Sequence, residues 1–221
     1  MEIKTIVNSL VDLFFPMRCI HCNDVIHSSQ TLCVSCASDL PFTHWEMDRN
    51  NKVFRQLYQY ARVEAGYSLL YFSKKDISQS ILHEMKYRNR PELGILLADL
   101  VQLDLSHFDY VIPIPLHSKR LKQRGYNQVE AFAKRLAEKH SITYCDNVLI
   151  RTSFQSSQVF KNKEERLKDL SRAFDLTDRT IKGNILVIDD LLTTGATLCQ
   201  AILPFNDLED VKVSVLTIAC A

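Results

Sequence analysis

Between Asn184 and Ile202 the chain reads NILVIDDLLTTGATLCQAI. An apolar run of strand length meets two adjacent acids, then Thr-Thr-Gly-Ala-Thr, then a second apolar run with helical spacing. This order predicts a strand, a tight turn and a helix. In an open α/β sheet, ligands bind beyond the carboxyl ends of the strands, and Asp189 and Asp190 fall at that end of a strand predicted over residues 186–188. Adjacent strand residues point to opposite sides, so the two carboxylates fork rather than share one proton. Forked acceptors suit neighbouring sugar hydroxyls. Thr193, Thr194, Gly195, Ala196 and Thr197 bring hydroxyls and backbone N–H groups to the start of the helix, an arrangement that cradles an anion. Gly195 lets the backbone come close to such an anion. A Walker A loop is excluded, because Gly195 is not followed by Lys-Ser/Thr, and the five glycines form no Gly-x-Gly-x-x-Gly. A strand-turn-helix corner without a ligand is the plainer alternative.

The rest of the chain alternates in the same way. Strands are predicted over 66–72, 108–116, 147–151, 184–190 and 211–219. Helices are predicted over 76–88, from Pro91 to about 103, and over 127–140, 162–174 and 196–205. The polar stretch THWEMDRNNK places a linker or loop at 41–60. Strands alternating with helices predict an α/β domain around a mainly parallel sheet flanked by helices, over 61–221. With 221 residues, 46% of them hydrophobic, the chain can bury one medium core and carry a small appendage.

That appendage is read from the cysteines. Four of the seven fall in two pairs, CIHC with Cys19 and Cys22, and CVSC with Cys33 and Cys36. Two Cys-x-x-Cys knuckles ten residues apart match a four-thiolate zinc site, here over 16–40, and the site is structural because four thiolates leave no open position for water. Cys145, Cys199 and Cys220 lie in apolar contexts and read as small core residues.

Before the knuckles, Ile3, Ile6, Val7, Leu10, Leu13 and Phe14 fall at helical spacing, which predicts an amphipathic helix over 1–15 that packs on the body or on a partner. No run approaches the ~18 apolar residues that span a bilayer. Without a basic n-region and a cleavage site, the protein is expected to be cytoplasmic. The net charge of +1 is unevenly spread: residues 117–139 hold seven Lys/Arg against two Glu, and 149–172 hold six against three acids. Such runs are either solvated helix faces or basic surfaces for a polyanion.

The stretch ILVIDDLLTTGAT resembles the signature of type I phosphoribosyltransferases, which bind 5-phosphoribosyl-1-pyrophosphate (PRPP). The resemblance implies that Asp189 and Asp190 hold the ribose hydroxyls and act in catalysis, while Thr193 to Thr197 hold the 5′-phosphate. A second stretch, VIPIPLHSKRLKQRGYNQ from Val111 to Gln128, resembles the competence protein F family, phosphoribosyltransferase-like proteins associated with DNA uptake that also carry an N-terminal four-cysteine zinc knuckle. Arg151, Gln158, Arg166 and the AF at 173–174 match a later segment of that family. Its pattern has Asn where this chain has Asp169, so a contact made by that amide is not carried over. The resemblance implies a type I phosphoribosyltransferase-like fold with a small N-terminal zinc knuckle, PRPP as ligand with Mg²⁺, and structural Zn²⁺.

In that frame, IPIPLHSKR reads as a pyrophosphate loop. His117, Lys119, Arg120 and Arg124 supply its cations, the two arginines foremost because a guanidinium fits phosphate oxygens bidentately. As an enzyme, the chain would transfer a phosphoribosyl group, contributing mainly positioning and electrostatics, with 151–172 as either a mobile cover or an ordinary surface segment. No residues read an acceptor clearly; Lys86 and Tyr87 are the nearest candidates. Two other classes of function stand beside the enzyme. One is an accessory protein binding single-stranded DNA, with Tyr126, Phe154 and Phe160 as stacking groups. The other is a zinc-scaffolded adaptor for competence or DNA-processing proteins. Oligomeric state is open, a dimer included.

Overall fold

The computed structural model describes residues 16–27, 30–152 and 173–221. The predicted helix over 1–15 lies outside the described residues, as do Phe154, Gln158, Phe160, Arg166 and Asp169.

Strands β1 (Gly66–Tyr71), β2 (Tyr110–Pro113), β3 (Thr143–Tyr144), β6 (Gly183–Leu192) and β7 (Val211–Cys220) form one sheet, ordered β1-β7-β6-β2-β3 with every pairing parallel. β4 (Leu149–Arg151) and β5 (Phe174–Leu176) pair antiparallel in a separate two-stranded sheet. The helices are α1 (Val34–Ser38), α2 (Lys52–Leu57), α3 (Ile77–Tyr87), α4 (Pro91–Asp99), α5 (Ser118–Arg124), α6 (Glu130–His140) and α7 (Ala196–Asn206). A parallel sheet covered on both faces has strands that are apolar throughout, because both sets of alternating side chains are buried. β6 does this: Leu186 and Ile188 join the core under α3, α4 and α6, while Ile185 and Val187 join the core under α2 and α7.

Local chemistry sets the helix ends. Asp76 accepts the Ile77 N–H at 2.6 Å to start α3, and Pro91 occupies the first turn of α4. At α5, His117 caps the start through Nδ1, which accepts the Lys119 N–H at 3.1 Å, and Gly125 ends the helix in the left-handed region at φ 83°.

Two expectations change. Residues 41–60 are not a loose linker: Thr43 N–H donates to the Leu69 carbonyl, Tyr71 N–H to Pro41, and Gly66 N–H to Asp48, so the segment covers the free edge of β1. Asn51 caps α2 and reaches the Gly66 carbonyl, while Val53 and Leu57 are fully buried beneath. Burying side chains of this size stabilises by about 1.5–3 kcal/mol each. The second change is at Phe174, the predicted end of a helix over 162–174. It lies in β5, fully buried, opposite Arg151 of β4.

The cysteine module is joined to the body as well. Arg18 and Val25 bridge to close its first hairpin, and Cys33 caps α1. Cys19, Leu32, Cys36 and Leu40 belong to the same buried cluster as Tyr67, Ile77 and Ile81. His21 Nδ1 meets Ser80 Oγ on α3 at 3.1 Å.

Candidate functional site

The sheet has its topological switch at β2/β6. From β2 the chain moves outward to β3, and from β6 it moves the other way to β7. On the β2 side the ladder stops at Pro113 opposite Ile188, with a last bond from Ile114 N–H to the Ile188 carbonyl at 2.9 Å. On the β7 side it continues through Asp189 to Leu192. A crevice therefore opens where β6 carries its two acids, the position in which open α/β sheets hold ligands.

Both acids are buried. They sit inside β6, which runs two residues further than the acids rather than ending at them. Asp190 faces α3 and the turn before α6: its Oδ2 lies 2.9 Å from Lys86 Nζ and accepts from Gln128 Nε2 at 3.0 Å. Asp189 Oδ1 accepts the N–H of Asp190 at 2.9 Å. Burial first, and the neighbouring Asp190 carboxylate second, push the Asp189 pKa well above the ordinary carboxylate value.

After β6 the chain enters α7 through the threonine turn. Thr193 and Thr194 are exposed, and Gly195 caps the helix at φ 77°. A Cβ on Gly195 would lie 3.0 Å from Leu57 Cδ2, so the glycine serves both the left-handed turn and close packing on α2. Gln56 of α2 donates to the Thr193 carbonyl, and Thr194 Oγ1 accepts the Ala196 N–H at 3.4 Å. The turn thus presents exposed hydroxyls over a buried base.

The predicted pyrophosphate cations follow β2 on the opposite bank, and they lie on a short helix rather than a loop. Arg124 donates to Gln128, which in turn donates to Asp190. Arg120, Lys119 and His117 share an electrostatic neighbourhood with Arg151 of β4, on which Asp189 also acts. Burial and then the Arg120 charge hold Arg151 below the ordinary guanidinium value, and its Nε is buried without a hydrogen-bond partner among the described residues. Its guanidinium lies over the Phe174 ring at 5.1 Å. Burial, then Arg151, Lys119 and Arg120, hold His117 below the ordinary imidazole value.

Lys86 was legible only as a weak acceptor-reading candidate, whereas it forms the ion pair to Asp190. Tyr87, the other such candidate, is 66% exposed, with Arg124 over its ring at 5.5 Å. Gln128 and Asn127 close the set: Asn127 Nδ2 donates to the Ile114 carbonyl at 3.0 Å and fixes the strand end. Gln128 ended the quoted stretch Val111–Gln128, yet amides give no charge pattern to mark them. Tyr126, expected to stack, uses its hydroxyl oxygen to accept the Asn89 N–H at 2.8 Å.

At the other end of the chain, the Sγ atoms of Cys19, Cys22, Cys33 and Cys36 lie within 4.8 Å of one another, Cys22 and Cys33 at 3.6 Å. Tetrahedral zinc at about 2.3 Å from each sulfur needs sulfurs about 3.8 Å apart, so the four thiols fit a closed structural zinc site. Among the described residues no helix is long and apolar enough to cross a membrane.

Residues 10–47 match the double zinc ribbon domain. Over most of its length the chain is similar to DNA utilization protein YhgH of Escherichia coli, at 24% identity over 196 residues, 82% of this chain and 81% of that protein. It is similar to competence protein F of Haemophilus influenzae at 25% identity over 208 residues, 84% of this chain and 89% of that one. A shorter match to competence protein ComFC of Bacillus subtilis reaches 42% identity over 94 residues, 42% of this chain and 35% of that one. Among solved structures, glutamine PRPP amidotransferase from Bacillus subtilis aligns at 18% identity and TM-score 0.36, covering 60% of this chain and 30% of that chain. Adenine phosphoribosyltransferase from Leishmania tarentolae aligns at 13% identity and TM-score 0.33, covering 79% and 89%.

Proposed function

We propose, from the double zinc ribbon match and the similarity to competence protein F and the DNA utilization proteins, that the crevice binds PRPP and that the protein acts in DNA uptake or processing. The observation that carries the reading is the order of groups along β6 and into α7: two buried, forked carboxylates, then a turn of exposed hydroxyls that starts a helix. Asp189 and Asp190 accept from the ribose hydroxyls. Thr193 to Thr197 take the 5′-phosphate, with the N-terminal end of α7 adding its dipole.

The pyrophosphate lies toward α5. Arg120 and Arg151 supply charge there, and Asp189 is an acid that acts on Arg151. His117, Lys119 and Arg124 complete the cationic bank. Mg²⁺ would be held by the carboxylates of Asp189 and Asp190, hard oxygen donors that fit it. Bound there, the ion would supply charge neutralisation for the pyrophosphate leaving group. The chain's own residues orient the sugar, hold the two phosphate ends apart and exclude water from the anomeric carbon.

Calorimetry of PRPP with Mg²⁺ on the zinc-loaded chain tests this. Binding by the wild type and none by a folded Asp189→Asn/Asp190→Asn variant is the expected result. No binding by the wild type overturns it.

A further inference from the structure

Two buried carboxylates on neighbouring residues are ordinarily a place where a divalent cation collects, because hard oxygen donors suit the ion and it relieves their repulsion. In this crevice the chain brings its own cations instead. Lys86 Nζ lies 2.9 Å from Asp190 Oδ2, and Gln128 Nε2 donates to the same oxygen at 3.0 Å, so that oxygen already has two donors. The charge of Lys86 reaches Asp189 as well, and Arg151 of β4 lies in the field of Asp189. Two acids are met by two cations of the chain itself.

The helix fixes Lys86 in this place. Ile77, Ile81, Leu82 and Met85 bury one face of α3, Asp76 caps its start, and Lys86 follows Met85 in the last turn. Glu84 on the same helix is engaged by Arg90 Nε at 3.1 Å and does not draw Lys86 away. Only a quarter of the Lys86 side chain is exposed, so solvent and salt screen its charge weakly.

We propose that Lys86 is a specificity-determining residue for the ion: it serves as the counter-ion of Asp190 and keeps a free divalent cation off the two carboxylates until a polyphosphate ligand adds negative charge. For the identity of that ligand this rests on the PRPP reading. A divalent ion arriving at Asp190 meets the like charge of Lys86 in a poorly solvated crevice, and Mg²⁺ gives up its water reluctantly. A ligand with a phosphate and a pyrophosphate reverses the balance, because its charge exceeds what Lys86 and Arg151 cancel. By linkage, ion and ligand then raise each other's affinity, and Lys86 sets by how much.

The test is titration of Mn²⁺, a paramagnetic stand-in for Mg²⁺ followed by electron paramagnetic resonance, into the full zinc-loaded chain without PRPP. Lys86→Met should bind the ion at least about tenfold more tightly than the wild type. Lys86→Arg keeps the charge and should stay close to the wild type. Lys86→Met/Asp190→Asn should lose the gain, which places the ion on Asp190. Lys182→Met, the same charge change at an exposed residue paired with Asp210, should show no gain. Circular dichroism and zinc content check each variant, and if Lys86→Met does not fold, Lys86→Gln removes the charge while keeping a hydrogen bond to Asp190. Equal ion affinity in the wild type and in the folded neutral variant overturns the proposal, as does an equal gain in Lys182→Met. Saturating PRPP should tighten Mn²⁺ on the wild type by a larger factor than on Lys86→Met, after subtraction of ion bound to PRPP in solution, and an equal factor overturns the coupling. A wild type that binds no PRPP removes the PRPP reading, while the ion titrations without PRPP still decide what Lys86 does.

Discussion

Lys86 Nζ lies 2.9 Å from Asp190 Oδ2, and the amide of Gln128 donates to the same oxygen at 3.0 Å. Asp190 stands beside a second buried carboxylate, so Lys86 offsets charge that little water reaches. Removing one partner of a buried pair costs more than the pair contributes, because the remaining charge is left in a poor solvent. Lys86→Met should lower the unfolding free energy by about 2–3 kcal/mol, below the fully buried range because a quarter of the Lys86 side chain stays exposed. Lys86→Met/Asp190→Asn should regain most of it. Urea denaturation of the three chains measures this, and an unmoved midpoint for Lys86→Met would mean that solvent screens the pair.

Asp189 should make both stability and ligand binding depend on pH. Its folded pKa is raised by burial and by Asp190 above the ordinary value of 3.8. Its contribution to stability is therefore fully present below that ordinary value and is lost as pH rises through the folded one. Asp189→Asn should remove this loss and flatten stability against pH in that window. The carboxylate must ionise to accept sugar hydroxyls and Mg²⁺, so PRPP binding should release a proton. Affinity should rise by up to tenfold per pH unit below the folded pKa and level off above it. Calorimetry in two buffers of different ionisation enthalpy detects the proton, and identical heats in both would exclude the linkage.

The features legible in the sequence were those whose chemistry is contiguous. Asp189 to Thr197 run through the end of β6, the turn and the first residues of α7, and the four cysteines declare their metal by spacing, so each could be read without knowing the rest of the fold. The misread segment 41–60 shows the opposite case. Val53 and Leu57 are buried anchors, and its other ties include backbone bonds with Leu69, Tyr71 and Gly66 and side-chain bonds from Asn51 and Gln56, all to residues that no local pattern reveals. Helix α5 lacks an apolar stripe because it buries nothing, so periodicity could not find it. The one available signal was its pair of ends, a capping His117 and a terminal Gly125. Lys86 stayed obscure because its meaning lies in a distant partner on β6, and the packing of α3 beside that strand is a property of topology.

Zinc removal should destabilise the whole chain. Cys19, Leu32, Cys36 and Leu40 share one buried cluster with Ile77 and Ile81 of α3 and Tyr67 of β1. Stripping the metal frees the module and exposes that side of α3 to water. A chelator, or Cys36→Ser, should lower the main thermal transition by several degrees, and a chain beginning at residue 41 should aggregate or unfold more readily. An adaptor whose ribbon is an independent unit would instead leave that truncated chain folded. Calorimetric unfolding with and without chelator decides the point: a separate early transition that leaves the main one in place would make the ribbon an independent unit.

Gly195 should be the least replaceable residue of the threonine turn. Its φ of 77° disfavours any residue with a Cβ, and that Cβ would crowd Leu57 at 3.0 Å. Gly195→Ala should lower stability by about 1–2 kcal/mol from the left-handed backbone alone. It should also weaken PRPP binding by tilting the start of α7 away from Thr193 and Thr194. Gly195→Ala combined with Leu57→Val relieves the contact but not the backbone, so the second substitution should restore only part of the stability. Full restoration in urea denaturation would assign the glycine to packing against α2 and leave the turn's left-handed conformation without energetic consequence.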